Sequence, residues 1–366
     1  MSTRKNSQKN KIYFMNLAKK QAENLLGNTG TNPSVGCVLV KNNSVISAAH
    51  TSLNGRPHAE FNAIRNIRNK AIGSDLYVTL EPCSNYGKTP PCVKLIVKKK
   101  IKRVYFSIKD PDPASFNKSS RYFRHKKINT KSGILEKEMN LFYKSYYKFK
   151  RDTYPFVTCK LAISKDMFTK NIRNKWITNE FSRARVHMLR ASHDCLLTSY
   201  NTIKADNPKL NCRISGLESR SPNLFILDKN LKTSMNSNII NKKANKTVIF
   251  FNKGNKEKIK RLKKLKVRIL KIPLNKTGKF DLKEILKIIK NFGFSRVFVE
   301  CGHRLIFEFL NKKLVDEFKL FISNKKIHKL GRNNIKNNVN IHLKNKKFIK
   351  ERVNLFGELM LSYRMK

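Results

Sequence analysis

Acidic residues are scarce in this 366-residue chain: Asp and Glu number 24 against 79 Lys and Arg, which gives a net charge of +55. Such an excess of positive charge first suggests a nucleic-acid-binding protein. The basic residues, however, are spread along the whole chain and are not gathered in one helix or tail. We therefore interpret the charge as a general compositional bias, with most lysines on solvated surfaces, which would still help to attract a phosphorylated substrate.

Long apolar runs, a secretory leader and regular cysteine spacing are also missing. No stretch approaches the length of a membrane span, so we expect no membrane segment. Residues 1–11 are polar and basic with no apolar run behind them, so we expect no signal peptide. The seven cysteines do not indicate a disulfide framework, and buried thiols in a reducing compartment are expected. These absences predict a cytoplasmic protein.

The clearest chemical signal lies in residues 57–92. The pattern His-x-Glu, then Pro-Cys, then a second Cys occurs at His58, Glu60, Cys83 and Cys92. One imidazole and two thiols can give zinc three protein ligands, and the fourth position then stays open, as in catalytic zinc sites. A glutamate two residues after the histidine is placed for proton transfer and not for metal binding. The pattern is typical of zinc deaminases.

The loop between the two cysteines narrows the class of deaminase. Nucleic-acid base deaminases typically place only two residues between these cysteines, whereas eight residues, 84–91, intervene here. A longer loop that contains a cation and a hydroxyl, Lys88 and Thr89, can fold back over the pocket and hold a small substrate.

Three segments together resemble the bifunctional deaminase/reductase family of riboflavin biosynthesis: residues 32–38 (NPSVGCV), 57–60 (PHAE) and 79–92 (TLEPC…GKTPPC). The resemblance implies an α/β fold, with an N-terminal cytidine-deaminase-like three-layer domain in residues 1–150 and a C-terminal dihydrofolate-reductase-like domain in residues 151–366. It implies Zn2+ and NADPH as cofactors. The implied substrate is a diaminopyrimidinone carrying ribosylamine 5-phosphate, which is deaminated before its ribosyl group is reduced to ribityl. A homodimer is suggested by this resemblance alone.

Apolar periodicity predicts alternating strands and helices, as in α/β folds. We expect strands at 35–40, 44–49, 75–80 and 103–108 in the first half, and at 154–162, 194–198, 224–228, 247–251, 267–272, 296–300 and 318–322 in the second. Helices are expected at 11–26, after a loose tail, at 58–69 and from residue 90. The aromatic and basic stretch 136–150 is interpreted as a linking helix packed between the domains, with base stacking as the alternative.

The resemblance assigns individual residues in the first half. It implies that Asn32 faces the pyrimidine ring and that Lys88 and Thr89 bind the substrate. A simple turn role for Asn32, before Pro33, stays open on spacing alone. With the catalytic Glu60, these residues would form the deaminase site.

The second half follows the reductase pattern in part. The residues that the resemblance assigns to the substrate are Asn174, Arg190, Leu210, Arg213 and Glu300. The residues that it assigns to NADPH are Ala162, Trp176, Thr202, Asp206 and Gly302. Arginine forks suit phosphate oxygens, Glu300 can accept hydrogen bonds from sugar hydroxyls, and a strand ending at Gly302 before a helix can hold a phosphate on backbone N–H groups. A core role for Trp176, the only tryptophan, stays open.

Several positions depart from the family pattern. Asn117, Ser119, Lys127 and Met167 stand where glycines are usual, and Lys229 stands where a serine usually meets the cofactor. A side chain is costly wherever the backbone needs a positive φ. Two alternatives to the bifunctional enzyme therefore stay open: a deaminase whose second half serves only for docking, and a nucleic-acid base deaminase.

Overall fold

The chain forms two compact units, Met1–Thr153 and Tyr154–Lys366. This computed structural model describes residues 2–87, 89–112 and 115–365. The last helix of the first unit runs to Arg151, so the division by contacts falls just after the boundary expected at residue 150. No helix in these described ranges has both the length and the apolar character needed to cross a bilayer.

A mixed sheet with helices on both faces forms the first unit. Its strands are β1 Gly36–Lys41, β2 Ser44–His50, β3 Asp75–Leu80, β4 Arg103–Ile108 and β5 Asn129–Ser132. Its helices are α1 Ser2–Glu23, α2 Ala59–Arg65, α3 Cys92–Lys98, α4 Lys118–His125, α5 Glu136–Phe142 and α6 Lys144–Arg151. The strand order is β2-β1-β3-β4-β5. Strand β1 pairs antiparallel with β2 and β3, and the pairs β3/β4 and β4/β5 are parallel.

The alternation of side chains along each strand explains why helices pack on both faces of the sheet and form three layers. Successive side chains of a strand point to opposite faces of the sheet. Val38 and Tyr77 pack with Phe14 and other residues of α1 on one face. Leu39 and Val78 pack with residues of α2 and α3 in the other cluster. The helix–sheet–helix arrangement confirms the three-layer α/β prediction.

Gly36 explains why this family motif needs a glycine. A Cβ built on Gly36 would lie 1.8 Å from the backbone oxygen of Ala18 and 2.6 Å from the backbone nitrogen of Ala22. Helix α1 thus contacts the sheet backbone directly at this point, and any side chain would push it away.

The helix boundaries correct parts of the sequence prediction. Helix α1 begins at Ser2 and includes most of the stretch expected to be a loose tail, because this stretch has no proline or glycine to stop a helix. The expected linking helix is two helices, α5 and α6. Its residues Met139, Tyr143 and Tyr146 belong to the hydrophobic core of the first unit.

A larger sheet forms the second unit. Its strands are β6 Phe156–Ile163, β7 Phe168–Asn171, β8 Cys195–Ser199, β9 Asn223–Leu227, β10 Thr247–Phe251, β11 Arg268–Lys271, β12 Arg296–Glu300, β13 Glu317–Ile322, β14 Gly331–Asn334, β15 Phe348–Lys350 and β16 Leu359–Arg364. Its helices are α7 Glu180–Ala191, α8 Tyr200–Asp206, α9 Asn238–Lys243, α10 Lys256–Lys264, α11 Leu282–Asn291, α12 His303–Asn311 and α13 Lys336–Leu343.

The main sheet of the second unit has the order β11-β10-β9-β8-β12-β6-β13-β16-β15, and β14 pairs with β7 in a small separate sheet. All neighbours from β11 to β13 are parallel, and β16 is antiparallel to both β13 and β15. Hydrophobic clusters cover both faces, as is usual for parallel sheets. The seven strands expected here are present with small shifts at their ends, whereas β7, β14, β15 and β16 were missed. Strand β15 has only three residues, Phe-Ile-Lys, all of them in exposed positions, so no alternation of apolar and polar residues marks it.

Candidate active sites in the two units

Three metal-binding side chains converge in the first unit. His58, Cys83 and Cys92 each offer one ligand atom, and these atoms lie within 4.8 Å of one another. Nδ1 of His58 is 3.4 Å from Sγ of Cys83 and 3.5 Å from Sγ of Cys92. Tetrahedral zinc with its usual bond lengths needs nitrogen and sulfur ligands ~3.6 Å apart. The donor set and its spacing therefore fit zinc.

The local fold explains this convergence. His58 is the residue before the first turn of α2, and Cys92 is the first residue of α3. Cys83 follows the end of the buried strand β3, and its sulfur accepts a hydrogen bond from the backbone N–H of Cys92 at 3.3 Å. Two helix starts and one strand end thus meet at a single point.

The surroundings of the two sulfurs favour the thiolate form of Cys83. A hydrogen bond from the Cys92 thiol, followed by the neighbouring His58, lowers the pKa of Cys83 to about 4, against the opposing effect of burial. The pKa of Cys92 is raised correspondingly, first by this hydrogen bond and then by burial. The thiolate is the form of cysteine that ligates zinc.

Glu60 lies beside the three ligands in the first turn of α2 and is 3% exposed. Burial raises the pKa of Glu60 to about 7, and the neighbouring His58 opposes this rise. A carboxyl group with a pKa near neutrality can both take and give a proton at physiological pH. Glu60 thus lies where an acid–base group of a zinc deaminase is needed, and its catalytic role stays a prediction.

The remaining deaminase residues stay predictions. Asn32 is half-buried, and its side-chain amide donates to the backbone oxygen of Gly55 at 3.1 Å. Thr89 is exposed and accepts a hydrogen bond from Arg56. Lys88 lies outside the described residues.

Glu81 is a functional candidate that the sequence reasoning missed. Its carboxylate is 2% exposed and accepts hydrogen bonds from the backbone N–H groups of Asp110, Asn117 and Ser119. The hydroxyl of Ser119 donates a further bond at 2.7 Å. Glu81 thereby ties the segment after β4 to the residues that lead into Cys83. Its place in the Glu-Pro-Cys motif was the one available signal.

Two of the three glycine departures of the first unit, Asn117 and Lys127, occupy left-handed backbone, whereas Ser119 lies within helix α4. Asn117 precedes α4 with φ 57°, and Lys127 follows it with φ 56°. Lys127 is the left-handed residue of a helix-ending turn, because the N–H groups of Lys127 and Ile128 donate to the oxygens of Arg124 and Phe123. These positions explain the usual glycines, and the structure keeps the turns without them.

In the second unit, several residues assigned to NADPH collect where parallel strands end. Ala162 and Gly302 lie at or just beyond the carboxyl ends of β6 and β12, and Thr202 follows the end of β8. A Cβ built on Gly302 would meet no atom within 4 Å, so the backbone at the start of α12 faces open space. Ligands of parallel α/β sheets bind at this edge, and helix starts favour phosphate. These residues therefore fit a dinucleotide.

Trp176 and Asp206 lie in different surroundings. Trp176 is 56% exposed, and its ring lies 5.3 Å from Nζ of Lys175 and 5.0 Å from the guanidinium of Arg183. This exposure excludes the core role that the sequence left open. Asp206 is the exposed last residue of α8. Cofactor contacts by both residues stay predictions.

Arg190 and Glu300 pair with each other. Nε and Nη2 of Arg190 donate to the two carboxylate oxygens of Glu300 at 2.8 and 2.9 Å, and Nη1 donates to the backbone oxygen of Asn211 at 3.0 Å. Despite burial, the charge and hydrogen bonds of Arg190 lower the pKa of Glu300. One edge of the Arg190 fork is thus occupied by Glu300, whereas the sequence assigned these groups separately to phosphate and sugar.

The other residues assigned to the reductase substrate differ in exposure. Arg213 is exposed and donates to the side-chain oxygen of Asn211 at 3.0 Å, so it lies near Arg190. Leu210 is 3% exposed with φ 45°, and its side chain belongs to the core, which leaves its backbone for a ligand. Asn174 lies in an exposed loop after β7.

Two residues of the second unit that depart from the family pattern, Met167 and Lys229, each donate a hydrogen bond to a backbone oxygen. Met167 adopts φ 70°, which is the conformation that a glycine serves best. Its N–H still donates to the oxygen of Ser164 at 3.0 Å. Nζ of Lys229 donates to the backbone oxygen of Gly278 at 3.0 Å. Met167 thus closes its turn with a backbone conformation that is strained for a residue with a side chain.

Comparisons with known proteins cover both units. The family model of the RibD C-terminal domain matches residues 155–341, and that of the cytidine and deoxycytidylate deaminase zinc-binding region matches residues 8–108. The riboflavin biosynthesis protein RibD of Bacillus amyloliquefaciens is 35% identical over 314 residues, which are 85% of this chain and 84% of that protein.

Solved structures of RibD proteins are also similar to this chain over almost its whole length. The structure of Acinetobacter baumannii RibD, form 1, is similar with a TM-score of 0.84 and 28% identity, covering 98% of this chain and 99% of that one. The deaminase/reductase of Thermotoga maritima is similar with a TM-score of 0.82 and 29% identity, again covering 98% and 99%.

The fold and the two sites define a class: enzymes that join a cytidine-deaminase-like zinc domain to a dihydrofolate-reductase-like domain. Such enzymes use Zn2+ and NADPH. Within this class, the chain belongs to the RibD family of bifunctional deaminase/reductases of riboflavin biosynthesis.

Proposed function

We propose that the first unit deaminates a diaminopyrimidinone carrying ribosylamine 5-phosphate and that the second unit then reduces the ribosyl group to ribityl. The Thermotoga maritima relative is named for such a pair of activities. The observation that carries the proposal is the meeting of His58, Cys83 and Cys92 beside the buried Glu60.

In deamination, the three ligands would hold zinc, which when bound supplies a water acidic enough to act as a nucleophile at neutral pH. Glu60 serves as the acid–base group: it accepts a proton during attack on the ring carbon and gives a proton to the departing amine. Water and the amino compound thus yield the carbonyl product and ammonia. Asn32, Lys88 and Thr89 would hold the substrate, which is the assignment implied by the family.

Glu60→Gln tests this assignment. The amide keeps the size of the side chain but cannot move the proton, so ammonia release should stop while zinc stays bound at one per chain. Zinc is measured by elemental analysis and ammonia by a coupled assay. Deamination that persists in this variant would overturn the role of Glu60.

In reduction, NADPH would supply the hydride that adds to the sugar C1′ as the bond from C1′ to the ring oxygen breaks, and that oxygen would take a proton from solvent. The backbone at Gly302 and the residues Ala162 and Thr202 would position the cofactor at the carboxyl edge of the sheet. Arg213 would contact the substrate phosphate, and Glu300, oriented by Arg190, would accept hydrogen bonds from the sugar hydroxyls.

NADPH oxidation with the deaminated product tests the second unit. Loss of absorbance at the nicotinamide band is expected with this substrate, and in the Glu60→Gln variant, which cannot deaminate, it is not expected with the compound before deamination. A full-length protein that deaminates but oxidises no NADPH would favour the alternative in which the second half only docks.

For its partners and location, we propose a small phosphorylated substrate, no specific nucleic acid, a homodimer and the cytoplasm. The eight-residue loop between Cys83 and Cys92 supports a small substrate over a nucleic acid. Binding to RNA that survives physiological salt would contradict this proposal, since nonspecific attraction to the net charge of +55 should weaken steeply with salt.

A further inference from the structure

Arg56 places a guanidinium on the loop between the two cysteine ligands. Its Nη1 donates to Oγ1 of Thr89 at 2.5 Å. Its Nη2 lies 3.1 Å from the position of a Cβ built on Gly87. The group therefore contacts Thr89 and lies next to the open side of Gly87. The same side chain lies two residues before His58 and close enough for its charge to act on that imidazole.

This guanidinium differs from the paired arginines of the chain. Arg103 holds both carboxylate oxygens of Asp75 at 2.6 and 2.7 Å, and Arg190 holds those of Glu300. In the described part of the chain, no carboxylate comes within ion-pair distance of Arg56. Arginine has five N–H donors, and Thr89 takes one of them. The others can serve an anion.

We propose that Arg56 binds the phosphate of the deaminase substrate and makes the first unit prefer phosphorylated over dephosphorylated pyrimidines. This inference rests on the deamination proposed above. With the ring at the metal ligands and Glu60, the phosphate of the substrate would lie away from the ring, and Thr89, which accepts from Arg56, belongs to the segment that joins Cys83 to Cys92. A guanidinium fork matches two phosphate oxygens and binds them by charge-assisted hydrogen bonds.

A purely structural role for Arg56 predicts a different effect of its removal on deamination. If Arg56 only fastens the inter-cysteine loop through Thr89, its loss should disturb deamination of every substrate. If it binds phosphate, its loss should matter only when the phosphate is present. The two roles are therefore separable by comparing one substrate before and after phosphatase treatment.

The experiment measures ammonia release from both forms of the pyrimidine with wild type, Arg56→Met and Arg121→Met. Arg121 is an exposed residue of α4, so its variant controls for the loss of one charge. For Arg56→Met we expect KM for the phosphorylated form to rise about tenfold or more, with kcat within about twofold. Kinetics with the dephosphorylated form should stay unchanged, as should all kinetics of Arg121→Met.

Two outcomes overturn the inference: an equal loss with both forms, or a KM for the phosphorylated form that does not change. Thr89→Val adds a check, because it removes the acceptor but keeps the guanidinium. If it abolishes the preference for phosphate as fully as Arg56→Met does, the loop contact is responsible. Zinc content of each variant, by elemental analysis, shows whether the site is intact.

A binding measurement separates this inference from the proposed reaction. Ribose 5-phosphate is titrated into wild type and Arg56→Met by calorimetry, which needs no turnover. We expect the variant to lose one of the sites that wild type shows. Identical titrations would overturn the role of Arg56 even if deamination is confirmed, whereas a lost site without any ammonia release from wild type would overturn only the proposed reaction.

Discussion

Replacing Glu81 by glutamine perturbs the deaminase site while the volume of the side chain stays nearly the same. The carboxylate accepts four hydrogen bonds, one pair at each oxygen: Asp110 and Asn117 on Oε2, and the N–H and hydroxyl of Ser119 on Oε1. An amide keeps one oxygen and turns an NH2 group toward the other pair. Two buried donors then lose their acceptor at about 1–3 kcal/mol each, so the free energy of unfolding of the first unit should fall by about 4 kcal/mol.

The assay is urea unfolding followed by far-UV circular dichroism. Trp176 is the only tryptophan and lies in the second unit, so its fluorescence reports the unfolding of that unit. A transition seen by circular dichroism but not by tryptophan fluorescence therefore reports the first unit. Ser119→Ala, which removes only the hydroxyl donor, should cost about 1 kcal/mol. Because Glu81 leads directly into Cys83, Glu81→Gln should also weaken zinc binding by about tenfold or more. A cost for Glu81→Gln no larger than that for Ser119→Ala would refute this reasoning.

Two further predictions use the same unfolding assay. Lys127→Gly should raise the stability of the first unit by about 0.5–1 kcal/mol, because the relief of left-handed strain exceeds the added freedom of the unfolded chain. Lys126→Gly, which changes the preceding residue at φ −92°, should lower the stability of the first unit. Equal effects of Lys127→Gly and Lys126→Gly on stability would contradict the assignment of Lys127 to a left-handed turn position. Burial raises the pKa of Asp110 from 3.8 to about 6. Between pH 3.8 and about 6, the folded state therefore binds more protons than the unfolded state. The free energy of unfolding should fall as the pH rises through this range, by at most about 3 kcal/mol. Asp110→Asn should flatten this slope, and an unchanged slope would show that Asp110 is not its source.

Local pattern and chemistry predicted much of the framework. Strands β3 and β4 were predicted at their observed bounds, because each is a short apolar run next to turn residues. His58, Cys83 and Cys92 were predicted as ligands because imidazole and thiol in this order have few other uses. Their meeting in space required the strand end and two helix starts that the alternation of elements implied.

What the sequence could not predict depends on contacts between distant residues or on backbone dihedrals. Arg190 and Glu300 are 110 positions apart, so their pairing left no local signal. Met167 and Lys127 have positive φ, which their residue types do not indicate; only the missing family glycines pointed there. Arg56 was missed because a single arginine in a basic chain has no distinguishing pattern.

The division after Thr153 falls between the residues assigned to the first reaction and those assigned to the second. Every side chain assigned to the first reaction comes from residues 32–92, and every one assigned to the second comes from residues 162–302. A gene cut at the codon for Tyr154 would therefore leave both sets whole. Fusion or fission of the two reading frames is thus an evolutionary change that this architecture permits without rebuilding either catalytic centre.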